Sequence, residues 1–212
     1  MCMRALIGGC AVVMAVGTNA QATGLNLSLA NFPDVTSVQT DVRYTSSTHV
    51  LQASGYATAF ENDGLGSTAP LVINGGTMTL TANVNSSGVA TTGSLTITGA
   101  IPSLSLANQV LLTGTLQNFS AVNNGSVGTF EFLWSGLTGA LAPNYLAKGI
   151  LAGTILTNIQ NFTGFGADFD NLAAHTQGTG AAIADTATVP APAAAGVLFG
   201  IAGGLGLRRR RR

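Results

Sequence analysis

The feature that most constrains this chain is two-residue alternation of small polar and apolar side chains. In Thr77-Met78-Thr79-Leu80-Thr81-Ala82-Asn83-Val84 every second residue is apolar, and Ser94-Leu95-Thr96-Ile97-Thr98 repeats the pattern. Thr129-Phe130-Glu131-Phe132-Leu133-Trp134 places Phe130, Phe132 and Trp134 in one phase. A helix would scatter these side chains around its axis, whereas a strand collects them on one face. The pattern therefore demands half-buried antiparallel strands with one wet side.

Turn chemistry separates the strands. Asn74-Gly75 supplies the positive φ angles of a tight hairpin, and Asn85-Ser86-Ser87-Gly88 and Asn123-Asn124-Gly125-Ser126 mark further turns. Strands are expected near 25–30, 49–60, 70–73, 76–84, 92–99, 108–119, 127–135 and 148–157. The segment 141–157, with Tyr145-Leu146-Ala147-Lys148, could instead open with a helical turn. The fold class is all-β: a single antiparallel β-sandwich or jelly-roll-like domain over 23–173. Residues 174–188, rich in Ala, Thr and Gly, read as a flexible stalk. Leu95-Thr96-Ile97-Thr98-Gly99 and Leu111-Leu112-Thr113-Gly114-Thr115 rhyme through shared strand grammar rather than as a repeat.

The two ends have a different character. Val189-Pro190-Ala191-Pro192 precedes an apolar run over 193–207, which Arg208, Arg209, Arg210, Arg211 and Arg212 close. As a helix that run reaches about 22 Å, short of a bilayer core of about 30 Å unless the flanking residues lie in the interface or the bilayer thins. An arginine cluster after a weak span holds its own side in the cytoplasm. Gly196, Gly200 and Gly204 form a small-residue stripe that suits helix packing, although general Gly richness is the favoured explanation.

This three-part tail resembles the PEP-CTERM sorting domain of exported bacterial proteins. The resemblance covers about a tenth of the chain. It implies that Val189, Pro190, Ala191 and Pro192 form a sorting motif and that 193–207 is a temporary anchor. It also implies an exosortase-type processing enzyme as partner and a surface rich in extracellular polysaccharide. Ala191 stands where the family carries Glu.

At the other end, Met1 to Arg4 is short and positive, 5–16 is mostly apolar, and Asn19-Ala20-Gln21-Ala22 offers an Ala-x-Ala cleavage site at Ala20 and Ala22. Residues 1–22 read as a secretory signal peptide, cut before Thr23 by signal peptidase during export. A lipoprotein signal at Cys10 would leave too short an apolar stretch. Both ends predict an exported protein, tethered at the inner membrane with its domain outside the cytoplasm and then carried to the surface or medium if processed.

Removing 1–22 and 189–212 changes the charge. The whole chain carries eight basic and eight acidic residues, but the middle keeps only Arg43 and Lys148 beside all eight acids, hence 2 − 8 = −6. A domain so acidic lacks the basic footprint that nucleic acid requires. Cys2 and Cys10 both fall in the signal peptide, so disulfides and thiolate chemistry are excluded from the mature domain.

Candidate chemistry is sparse. His49 and His175 are the only histidines, and no Gly-x-Ser-x-Gly elbow is present. Glu61 and Glu131 are the only glutamates, with nothing to bring them together as a glycosidase pair. Glu61-Asn62-Asp63-Gly64 and Asp168-Phe169-Asp170-Asn171 space oxygen ligands as Ca²⁺ prefers, making Glu61, Asp63, Asp168 and Asp170 candidate metal ligands. Asx-type turns explain the same residues without a metal, and are favoured. For glycan contact the candidates are Tyr44 and Tyr56, because Trp134 alternates in phase with core phenylalanines. Rows of Thr77, Thr79 and Thr81 beside Thr96 and Thr98 leave ice binding as a distant alternative to a plain solvent-facing sheet. The expected function is a non-enzymatic surface or matrix protein, and the alternative is a carbohydrate-binding or adhesive module.

Overall fold

A computed structural model of the chain describes residues 24–62, 69–125, 127–171 and 181–190. The expected signal peptide, with Ala20 and Ala22, lies outside them. So do Asp63, His175, Ala191, Pro192, the apolar run 193–207 and the arginine tail. No helix among the described residues is long and apolar enough to cross a membrane.

Strands run in chain order as β1 (Asp34–Thr45), β2 (Val50–Glu61), β3 (Leu71–Val72), β4 (Asn74–Val84) and β5 (Ala90–Ile101). They continue as β6 (Leu106–Asn124), β7 (Val127–Thr138), β8 (Leu151–Gln160), β9 (Phe169–Asp170) and β10 (Ala182–Val189), with one short helix, α1 (Ala142–Leu146), between β7 and β8. Each long strand pairs antiparallel with the next, and β10 pairs with both β8 and β1. Because β1 also pairs with β2, the sheet closes on itself as an eight-stranded up-and-down barrel. The pieces β3 and β9 are short additions beside β2 and β1.

The all-β expectation holds, but one closed sheet replaces the expected two-sheet sandwich or jelly roll. Alternation cannot separate these architectures, since both ask each strand for one dry and one wet face. The difference lies at the closing seam, where both strands escaped the sequence reading. Residues 182–188, expected as the end of a stalk, and Val189, expected to open the sorting motif, together form β10 in the barrel wall. Its inward side chains are Ala182, Ala184, Thr186 and Thr188, all buried and all small. Their modest size hides the strand from any hydrophobicity pattern. In β1 the alternation breaks at a bulge between Val38 and Asp41, where Gln39 takes φ of 51°. There Asn171 stands in for a strand: its Oδ1 accepts from Val42 N at 2.6 Å and its Nδ2 donates to Thr40 O at 3.1 Å.

Residues 24–33, expected to include a strand, instead form a strap over the outer wall. Glu131 points outward from β7 and is buried beneath the strap. Its carboxylate accepts from Asn26 N at 3.0 Å, Leu27 N at 3.1 Å and Ser120 Oγ at 2.8 Å. Leu27 and Leu29 then cross Gly153, where a Cβ would stand 2.6 Å from Leu29 and 3.1 Å from Leu27.

The barrel is filled from end to end. At one end, Phe162, Phe165 and Phe169 from the connection after β8 pack with Tyr44, Phe119 and Phe130, several rings meeting edge to face. In the middle, Trp134 stacks on Phe132 and its Nε1 donates to Thr154 Oγ1 at 2.9 Å; that hydroxyl also lies 3.0 Å from Thr186 Oγ1. At the other end α1 presents Tyr145, whose hydroxyl donates to Thr186 O at 2.7 Å. The turn of helix expected in this region is therefore the plug of the barrel.

Candidate functional site: an uncharged hydroxyl face and an acidic seam

With the interior occupied by side chains, chemistry available to a partner lies on the outer wall. On β4 the outward residues Thr77, Thr79, Thr81 and Asn83 face Thr98, Thr96, Ser94 and Thr92 of β5. The rows extend across β6, where Thr113 and Thr115 oppose Thr96 and Ser94, and on to Thr138 and Ser135 of β7. On the other flank, Gln52 and Ser54 of β2 oppose Thr81 and Thr79.

Many of these groups bond to one another. Thr77 and Thr98 hydroxyls lie 2.7 Å apart, Thr81 and Ser94 3.0 Å, and Thr113 and Thr138 2.6 Å. Asn83 Nδ2 donates to Thr92 Oγ1 at 2.8 Å, and Gln117 Nε2 to Ser135 Oγ at 2.7 Å. Cross-strand pairs of this kind stabilise a sheet by a few tenths of a kcal/mol each, up to about 1. They also leave each hydroxyl lone-pair or proton capacity for a ligand. No Asp, Glu, Lys, Arg or His occurs between Gly64 and Phe130, so the middle of this face carries no charge. That run of neutral residues was available in the sequence as a sign of the face. With polar residues outside and apolar ones inside, the wall is the reverse of a lipid-spanning barrel.

Tyr56 stands at the β2 edge of these rows, outward and 58 % exposed. Tyr44, the other aromatic expected to meet glycan, is buried instead. Its ring stacks on Phe169, and its hydroxyl donates to Val84 O at 2.8 Å and lies 3.3 Å from His49 Nδ1. The polar neighbourhood that suggested an exposed Tyr44 belongs to the hairpin beyond β1, while the strand phase turns Tyr44 inward.

Of the four acids expected as Ca²⁺ ligands, Asp63 lies outside the described residues. Asp168 accepts from Ser46 Oγ at 2.6 Å and Ser46 N at 2.7 Å, and these bonds hold its carboxyl below the usual range. Asp170 faces Arg43 across the β1–β9 pair, and Glu61 ends β2 at the opposite end of the barrel. Among the described residues no three His, Cys, Asp or Glu side chains are grouped to hold a metal. The Ser46 hydroxyl engages Asp168 while His49 contacts Tyr44, so these three polar residues are not linked as nucleophile, base and orienting acid.

A different acid cluster does form at the seam. Asp34 of β1 lies opposite Glu61 of β2 and beside Asp185 of β10. They line an open pocket of about 410 Å³ with Leu29, Ala30, Asn31 and Phe32 of the strap. Burial lifts Asp34 from 3.8 to about 9, helped by the hydrogen bond with Asp185 and the charges of Asp185 and Glu61. Burial, and then the same two aspartates, raises the Tyr145 hydroxyl. Asp34 therefore holds a proton at neutral pH. Sequence reading missed this cluster because its members come from positions far apart and meet only when the barrel closes.

No family model matches this chain, and no match is found among curated proteins or solved structures.

Proposed function

We propose that this chain is an exported, non-enzymatic surface or matrix protein: a polar-walled barrel tethered through its C-terminal tail and released where that tail is processed. The observation that carries this reading is a division of labour along the chain. The barrel interior is occupied by its own side chains, and the reactive groups on the wall serve as structural partners, as Glu131 and Asp168 do. Beyond the barrel come Pro190, Ala191 and Pro192, the apolar run and five arginines, a layout suited to membrane delivery rather than to chemistry. Intact mass spectrometry of protein from cells and from medium tests the proposal. Material from medium that starts at Thr23 and ends near Pro190–Ala193 supports both processing events. A product that retains residues 1–22 and stays in the cytoplasm refutes export.

The second reading, adhesion to extracellular polysaccharide, is favoured by Tyr56 beside uncharged hydroxyl and amide rows. Sugars are recognised by an aromatic platform with hydrogen-bonding neighbours. Retention on the polysaccharide of the producing cells, lost in Tyr56→Ala, is the expected result. Equal passage of wild type and variant through the matrix removes this reading. Ice binding stays the distant alternative, since closure curves and twists the hydroxyl rows. Thermal hysteresis would revive it.

A further inference from the structure

The two ends of the barrel differ in polarity, and the chain leaves from the apolar one. Connections at the aromatic-plug end are polar: Ser46, Ser47, Thr48 and His49 after β1, and Asn85, Ser86 and Ser87 after β4, with Val89 as an exposed exception. At the α1 end every connection with described residues presents an exposed apolar side chain. Val72 lies between β2 and β4 and is 64 % exposed; Leu104 lies between β5 and β6 and is 41 % exposed. Between β7 and β8 stand Leu146 at 49 % and Ile150 at 70 %.

The exit point adjoins the last pair. Val189 is opposite Leu151, next to Ile150, and a Cβ on Gly149 would stand 2.8 Å from Val189 O. Lys148 lies in the same turn, with Nζ 5.6 Å from the centre of the Phe32 ring. From Val189 to Ala193 the chain advances four residues, a reach of at most about 14 Å when fully extended. A strand that runs to Val189 leaves no stalk to hold the barrel away from a bilayer.

We propose that the α1 end of the barrel is a membrane-docking surface that rests on zwitterionic phospholipid where the tail enters the bilayer. Leu146 and Ile150 enter the boundary between headgroups and acyl chains, and Lys148 sits among the phosphates, the arrangement of an interfacial anchor. The opposing charges at this end are Glu61 and Asp185 of the seam, beside the protonated Asp34, and they disfavour a strongly anionic surface. The proposal rests on the reading of 193–207 as a membrane span.

The test uses the full chain after signal-peptide removal, which has no cysteine of its own, reconstituted in phosphatidylcholine vesicles. Ile150→Cys and, separately, Thr79→Cys carry an environment-sensitive fluorophore, and Leu146→Cys provides a second reporter should Ile150→Cys misfold. Aqueous iodide should quench the labels at 150 and 146 at least about three-fold less than the label at 79, and lipid-borne spin labels should reverse that order. Floating vesicles with equal iodide quenching at 150, 146 and 79 overturn the docking surface while leaving the span intact. Protein that fails to float with the vesicles overturns the span and the docking surface together.

Discussion

Replacing Asp34 with asparagine should make the barrel more stable at alkaline pH and leave it unchanged in acid. The asparagine side chain resembles the protonated carboxyl, can still donate toward Asp185, and never ionises. With Asp34 raised from 3.8 to about 9, the folded state binds more protons than the unfolded state throughout that interval. Stability then falls as pH rises, because the slope of the unfolding free energy follows protons bound unfolded minus protons bound folded. The contribution is fully present below pH 3.8 and has been lost by the time pH passes 9. A single proton gives at most about 1.4 kcal/mol per pH unit. Asp34 is only partly buried, and it shares its proton with Asp185, so solvent screening and coupling reduce the total. An advantage of about 1–3 kcal/mol for Asp34→Asn at pH 9 is expected, shrinking to about zero at pH 4. Trp134 is the only tryptophan and is fully buried, so urea unfolding followed by its fluorescence reports the barrel directly. Parallel stability profiles for variant and wild type from pH 4 to 9 would falsify the assignment of the proton to Asp34, and a variant destabilised at pH 9 would reverse its sign.

Truncation after Gly180 should abolish cooperative unfolding of Trp134 because it deletes a wall strand, whereas truncation after Pro190 should preserve it; equal behaviour of the two would restore the stalk. Glu131→Ala leaves three donors unpaired and should cost about 3 kcal/mol, with faster amide exchange at Asn26 and Leu27 before the barrel opens. Unchanged exchange there would show that the strap is held elsewhere. Tyr145→Phe removes the bond to Thr186 O and should lower stability by about 1–2 kcal/mol in thermal or urea unfolding, without loss of the helical plug. Gly153→Ala places a methyl against Leu29 and Leu27 and should cost about 1–3 kcal/mol; a neutral result would mean that the strap lifts freely.

The strands most readable in the sequence are those with a strong inner–outer contrast. From β4 to β7 large apolar residues alternate with small polar ones, and Asn124-Gly125 marks the β6–β7 turn, so local chemistry and tertiary role agree there. The hairpin expected at Asn74-Gly75 does not form: both residues lie at the start of β4, and Leu71–Val72 pairs with β2 instead. In β10 the buried residues are Ala and Thr because bulky neighbours, Trp134 and Tyr145 among them, already fill the space they face. A small residue next to a large one is a packing decision made across the barrel, and it leaves no local periodic trace. Tyr44 was misplaced for a related reason. Its surroundings in the chain are polar, but the phase resumed after the bulge turns its ring inward.

The sequence alone determined the antiparallel β character, the acidic balance of the middle once the ends are set aside, and the absence of cysteine from it. These follow from residue order and charge, which need no partner to be read. Closure into a barrel, the burial of Tyr44 and the meeting of Asp34, Glu61 and Asp185 were decided only by the tertiary structure. Each depends on β1 and β10 finding one another across the length of the domain, and a pairing between distant strands is recorded in neither one's local pattern.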